Sequence, residues 1–148
     1  METNQRYSGF WRRAAAALID ILILGVFIIL LTIALGEAWL ATFGDSNDYE
    51  SGMFLLIFLT PIVITWGYAI FFESDEGATP GKQVLGIKVC LQDGGQPGVL
   101  RLTARWFLHA LSAVILGVGF LMPLWTKKKQ TLHDMLTGTL VVRKDAVG

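Results

Sequence analysis

The chain has 148 residues, of which 53% are hydrophobic and 16% charged, with a mean hydropathy of +0.55; an average soluble domain carries about a quarter charged residues. Twelve basic and twelve acidic side chains cancel, so the composition excludes a disordered chain and provides no electrostatic footprint for nucleic acid. The one cysteine, Cys90, has no intramolecular disulfide partner, and two histidines without cysteine neighbours do not make a structural zinc site.

Ala14 to Leu35 is a run of 22 residues charged only at Asp20. At 1.5 Å per residue it spans roughly 33 Å, enough to cross a bilayer core, and it reads as transmembrane helix one. Arg6, Arg12 and Arg13 precede it, but the run is too long for a signal peptide and lacks a good small-x-small cleavage site, so it reads as an uncleaved anchor. Gly36 to Gly52 holds Glu37, Asp45, Asp48 and Glu50 with no basic residue, and reads as an outside loop. Met53 to Phe72 is a second, chargeless run of 20 residues with a kink expected at Pro61, and Trp66 and Tyr68 as interfacial anchors.

Residues 73–103 change character. Thr79, Pro80 and Gly81 form turn chemistry ahead of Lys82, Val84 to Leu91 is strand-like, and a second turn follows at 93–98. The third apolar segment, about residues 104–125, is ambiguous. Arg101, Arg105 and His109 recur at i, i+4 and i+8, the polar face of an amphipathic helix starting at the inner surface. A complete third crossing would place Lys127, Lys128, Lys129, Arg143 and Lys144 outside, against the positive-inside rule, whereas a hairpin turning near Gly117 to Gly119 keeps the tail, residues 126–148, inside. Gly138 to Arg143 also reads as a strand whose natural mate is Val84 to Leu91, and paired strands share one side of a membrane. The expected fold is a single-domain, all-α integral membrane protein. It has two transmembrane helices (14–35 and 53–72), a third re-entrant or spanning hydrophobic segment, and a small cytoplasmic two-stranded β element.

Asp20 lies roughly 9 Å inside the first span. A carboxylate there costs on the order of 2.5–3.5 kcal/mol on insertion scales, so it faces protein or water. It reads either as an ion or proton site or as a helix–helix hydrogen-bonding residue. Arg13 lies about 10.5 Å away along the axis and leans away from it, so a partner on another segment is needed; Arg105 is preferred and His109 is the alternative. His133 and Asp134 are adjacent and face different directions on a helix; either they form an acid–base pair or Asp134 takes local hydrogen bonds or an arginine. Lys127, Lys128 and Lys129 suit anionic lipid headgroups, at about 1 kcal/mol each. The Thr79 to Lys82 segment lacks P-loop spacing. No catalytic nucleophile, metal cluster or phosphate loop stands out, so no enzyme activity, cofactor or metal is expected.

Taken together, Gly9 to Asp20 (GFWRRAAAALID), Thr79 to Val89 (TPGKQVLGIKV), the basic stretch Arg101 to Arg105 and Lys128 to Arg143 (KKQTLHDMLTGTLVVR) resemble the RDD family of small membrane proteins. The resemblance implies that Arg13, Asp20 and Asp134 take the roles of the family's signature arginine and two aspartates. It also implies a link to transport, with sodium–proton antiport in some members, and three spans, from which a re-entrant third segment departs. The functional expectation is a transport or ion-coupling component in which Asp20 binds a cation or proton, with Arg13, Arg105, His109 and Asp134 around it. The competing expectation is a non-transporting scaffold or lipid-binding adaptor. Membrane lipids, a small cation or proton and further copies of the chain are the expected partners, in a bacterial inner membrane with the amino terminus cytoplasmic.

Overall fold

A computed structural model of the chain describes residues 7–44, 49–114 and 121–144. In chain order the elements are α1 (Phe10–Phe43), α2 (Tyr49–Asp75), α3 (Pro80–Val84), β1 (Ile87–Leu91), α4 (Val99–Val114), a 3-10 turn (Met122–Leu124), α5 (Leu132–Thr137) and β2 (Thr139–Arg143). The fold is mostly helical with one two-stranded sheet.

α1 has 34 residues and α2 has 27, about 51 and 40 Å of helix, so both are long and apolar enough to cross a membrane. Both exceed the apolar runs that announce them. Helix α1 absorbs residues 36–43 of the expected outer loop and α2 starts at Tyr49, because Glu37, Ala38, Leu40 and Ala41 are good helix formers that hydropathy alone passes over. Helix α2 continues through Pro61, which has no N–H to offer the Ile57 carbonyl. One turn on, the Thr65 hydroxyl donates to the Pro61 carbonyl at 2.7 Å.

The chain divides into two compact units, Ile21–Gly67 and Met1–Asp20 with Tyr68–Gly148. In the first, α1 and α2 meet where Gly52 lies against the Trp39 indole so closely that a Cβ there would overlap the ring. Apolar side chains such as Leu22, Phe27, Leu30, Phe54 and Phe58 are exposed, and the most apolar stretch of each helix has no buried residue.

In the second unit β1 and β2 are antiparallel, with Ile87 opposite Arg143 and Leu91 opposite Thr139. The expected strand at Val84 to Leu91 thus starts three residues later, because Pro80–Val84 is helical and Gly86, at φ 62°, turns the chain into the strand. Tyr7 bridges to Val142 and the Ser8 N–H donates to the Val141 carbonyl at 2.9 Å, so the amino-terminal segment borders β2. Side chains alternate across the sheet. Ile87, Val89 and Val141 pack with Ala16 of α1 on one face, and Cys90, Leu140 and Val142 with Tyr7 on the other.

Helix α4 begins at Val99, ahead of the apolar segment. Its expected polar face does not point to water as a unit: Arg101 and His109 are exposed but Arg105 is buried. The turn expected at Gly117 to Gly119 lies outside the described residues, as do Asp45 and Asp48.

Candidate functional site

Five charged side chains alternate in sign through the second unit. The Arg13 Nη1 group donates to Asp134 Oδ2 at 2.5 Å. Arg105 donates to Asp134 Oδ1 through Nε at 3.0 Å and to Glu73 Oε2 through Nη1 at 2.9 Å, and its Nη2 lies 3.0 Å from Asp134 Oδ1 as an ion pair. Lys82 closes the series on Glu73 Oε1. Residues from α1, α2, α3, α4 and α5 are therefore tied by ion pairs, with Asp134, Glu73 and Arg105 all buried.

Local sequence explains the placement of Asp134. Thr131 is the N-cap of α5 and Asp134 its third residue, and the two form a capping box in which the Thr131 N–H donates to Asp134 Oδ2 at 3.3 Å. Gly138 ends the helix in the left-handed conformation, φ 68°, and sends the chain directly into β2. The carboxylate is thus oriented by its own helix cap as well as by the arginines. Arg13 is oriented by two further acceptors, the carbonyls of Ser8 at 3.2 Å and Lys129 at 2.6 Å. Lys129 adopts φ 48°, a conformation rare for residues other than glycine and asparagine, and its carbonyl is used by Arg13.

Burial alone would raise the Asp134 pKa, but the charges of Arg105 and Arg13 outweigh it and hold the carboxyl far below its usual range. His133 is pushed down to about 2, by burial first and by Arg105 second. Its Nε2 lies 2.9 Å from the Thr131 hydroxyl, and its ring centroid is 4.7 Å from that of His109. Asp134 therefore stays ionised and His133 neutral at physiological pH. An acid–base pair at these two residues, one of the sequence alternatives, has no titrating member in that range.

Asp20 has a different environment. Its Oδ1 accepts from the Tyr68 hydroxyl at 2.7 Å and the Gly81 N–H at 2.8 Å, and its Oδ2 from the Thr79 hydroxyl at 2.5 Å. The expected Asp20–Arg105 pair is not formed, because the Arg105 guanidinium is committed to Asp134 and Glu73. The Thr79–Pro80–Gly81 segment is not a free turn: Thr79 is the N-cap of α3 and Pro80 its first residue. A Cβ at Gly81 would overlap the Ala16 carbonyl and lie 2.8 Å from Asp20 Cγ, so glycine is what lets this backbone reach the carboxylate.

Arg13, Arg105 and Asp134 are thus brought together, Asp20 is held separately by neutral donors, and Lys127 and Lys128 stay exposed while Lys129 is partly covered. Sequence reasoning missed Glu73. Its signal was an acid closing the inner end of a chargeless run, with Lys82 nine residues on. Among the described residues no three His, Cys, Asp or Glu side chains converge to hold a metal ion.

Comparison with known proteins places these residues in context. The RDD family matches over residues 7–138. The uncharacterized protein YxaI of Bacillus subtilis is 30% identical, over 95% of this chain and 99% of its own length. The uncharacterized protein YckC of the same organism is 33% identical, over 90% of this chain and 83% of its own. The proline-rich antigen of Mycobacterium leprae is 31% identical, over 88% of this chain and 59% of its own. No solved structure matches. With the match running from the bridge at Tyr7 to the α5 cap at Gly138, and with full-length relatives in bacteria, the chain belongs to the RDD family.

Proposed function

We propose that this is a multi-pass membrane protein that transports or couples a small cation or proton, with Asp20 as the binding residue. One observation carries the reading: Glu73 and Asp134 are each held by two cations, whereas the donors on Asp20 are all neutral. A carboxylate has about four acceptor positions and Asp20 uses three, and the Tyr68 and Thr79 oxygens keep lone pairs that can join a cation. Arg13, Asp134, Arg105, Glu73 and Lys82 form the fixed frame beside it, and the function is non-enzymatic.

The bilayer reading is supported by the exposed apolar surface of α1 and α2, far more than a monomeric soluble protein presents to water. Exposed Arg12, Lys127 and Lys128 favour a cytoplasmic amino terminus in a bacterial inner membrane. Two crossing helices do not enclose a pathway, so transport carries a homo-oligomer with it. The scaffold or adaptor reading is favoured by the ion-pair frame, which uses its charges internally.

Sodium, potassium and proton flux in proteoliposomes separates the two. The substitution Asp20→Asn leaves an amide oxygen as acceptor for Tyr68 and Gly81, so this variant is expected to fold and to lose most of the flux. Flux equal to the parent chain's removes Asp20 from the pathway, and absence of flux in the parent chain leaves the scaffold.

A further inference from the structure

Helix α4 is amphipathic with the usual faces exchanged. Leu102, Arg105 and Ser112 are buried against the rest of the unit. Leu100, Ala104, Phe107 and Leu111 are exposed, Leu100 by 84% and Phe107 by 62%. These four are spaced i, i+4, i+7 and i+11, which at 100° per residue confines them to a stripe about 60° wide. Arg105 thus serves the ion-pair frame, while these four apolar side chains form an exposed stripe, with exposed Arg101 and His109 outside it.

The sheet constrains where this stripe can be. β1 precedes α4 and β2 follows it, and the two pair residue by residue, so the chain leaves and returns on one side of any bilayer. One crossing between them is geometrically closed. The occupant of the stripe is indicated by what flanks it. Arg101 is exposed at the start of α4, and Leu124 and Trp125, the latter 61% exposed, are followed one residue later by exposed Lys127 and Lys128. Apolar side chains, an amphipathic indole and cations in sequence are the chemistry of a headgroup boundary.

We infer that α4 and the Leu124–Lys128 segment form an interfacial anchor lying in the plane of an anionic leaflet, with Leu100, Ala104, Phe107 and Leu111 on the acyl chains and Lys127 and Lys128 on lipid phosphates. This rests on the bilayer part of the proposed function but not on transport. It differs from a third span and assigns the segment a partner, the lipid surface itself.

Depth-resolved quenching tests it on the full chain in phosphatidylcholine–phosphatidylglycerol vesicles. Leu100→Cys, Phe107→Cys, Leu111→Cys and Ile29→Cys, each in a Cys90→Ser background, are labelled with an environment-sensitive fluorophore and quenched by lipids brominated at successive depths. If that background does not fold, the native chain serves, since Cys90 is buried. The three α4 probes are expected at one shallow depth and Ile29 deep. A helix along the normal would separate Leu100 from Leu111 by about 16 Å, and such a gradient overturns the anchor. A quenched Ile29 with unquenched, mutually cross-linking α4 probes assigns the stripe to a second copy of the chain. An unquenched Ile29 refutes the bilayer reading itself. Lys127→Gln with Lys128→Gln is expected to abolish the extra quenching at Phe107 that phosphatidylglycerol gives over phosphatidylcholine alone; an undiminished gain overturns the phosphate contact.

Discussion

At the scale of single residues, Asp134 is tightly constrained. It is fully buried and holds two arginines, so Asp134→Asn leaves Arg13 without a carboxylate and Arg105 with Glu73 alone, and is expected to cost about 3–5 kcal/mol in denaturation measured in detergent. Its depressed pKa contributes stability that is complete above the ordinary carboxylate range and is lost as pH falls below about 4. His133 moves stability in a different window. With its folded-state pKa pushed down to about 2, the unfolded chain takes up a proton below about pH 6.5 that the folded chain refuses. Stability therefore falls with falling pH, by up to about 1.4 kcal/mol per pH unit for one proton. His133→Gln is expected to flatten the denaturation profile by that one-proton slope between about pH 6 and 4; an unchanged slope would show that His133 is not the group responsible. The sequence revealed that an arginine could meet Asp134, but not which one, because side chains 29 and 121 residues away leave no local periodicity.

At the scale of elements, caps decide more than hydropathy. Gly138 has open space where a Cβ would go, so its strain on substitution is purely that of the left-handed backbone. Gly138→Ala is expected to lose about 1–2 kcal/mol, and Gly138→Asn less, since asparagine tolerates this region; equal losses would point instead to packing. The strand pairing was legible because β-branched runs at Ile87 to Leu91 and Thr139 to Arg143 each needed a mate. The Thr79 to Lys82 segment reads as a turn in sequence yet opens a helix, because threonine, proline and glycine serve both. On α4 the arginine periodicity was visible, but burial of Arg105 was not: an i, i+4 pattern identifies a helix face without telling whether acids elsewhere will cover it.

At the scale of the whole chain, the frame and the Asp20 site are expected to be energetically separable. Arg105→Gln with Asp134→Asn removes two members of one pair, and the double variant is expected to depart from the sum of the single losses by about 0.5–3 kcal/mol. Arg105→Gln with Asp20→Asn is expected to add, because no hydrogen bond joins them; coupling there would restore the pairing that the sequence invited. The two long helices were legible from composition, since lipid-length apolar runs have few other readings. Their true ends were not, since backbone hydrogen bonding ignores where the surrounding solvent changes.

The ion-pair frame also sets an order of events during synthesis. Arg13 is made 121 residues before Asp134, so the first helix leaves the ribosome with its cation uncompensated and the frame closes only when the last helix arrives. A chain interrupted before Asp134 leaves Arg13 with no carboxylate partner and Arg105 with Glu73 alone.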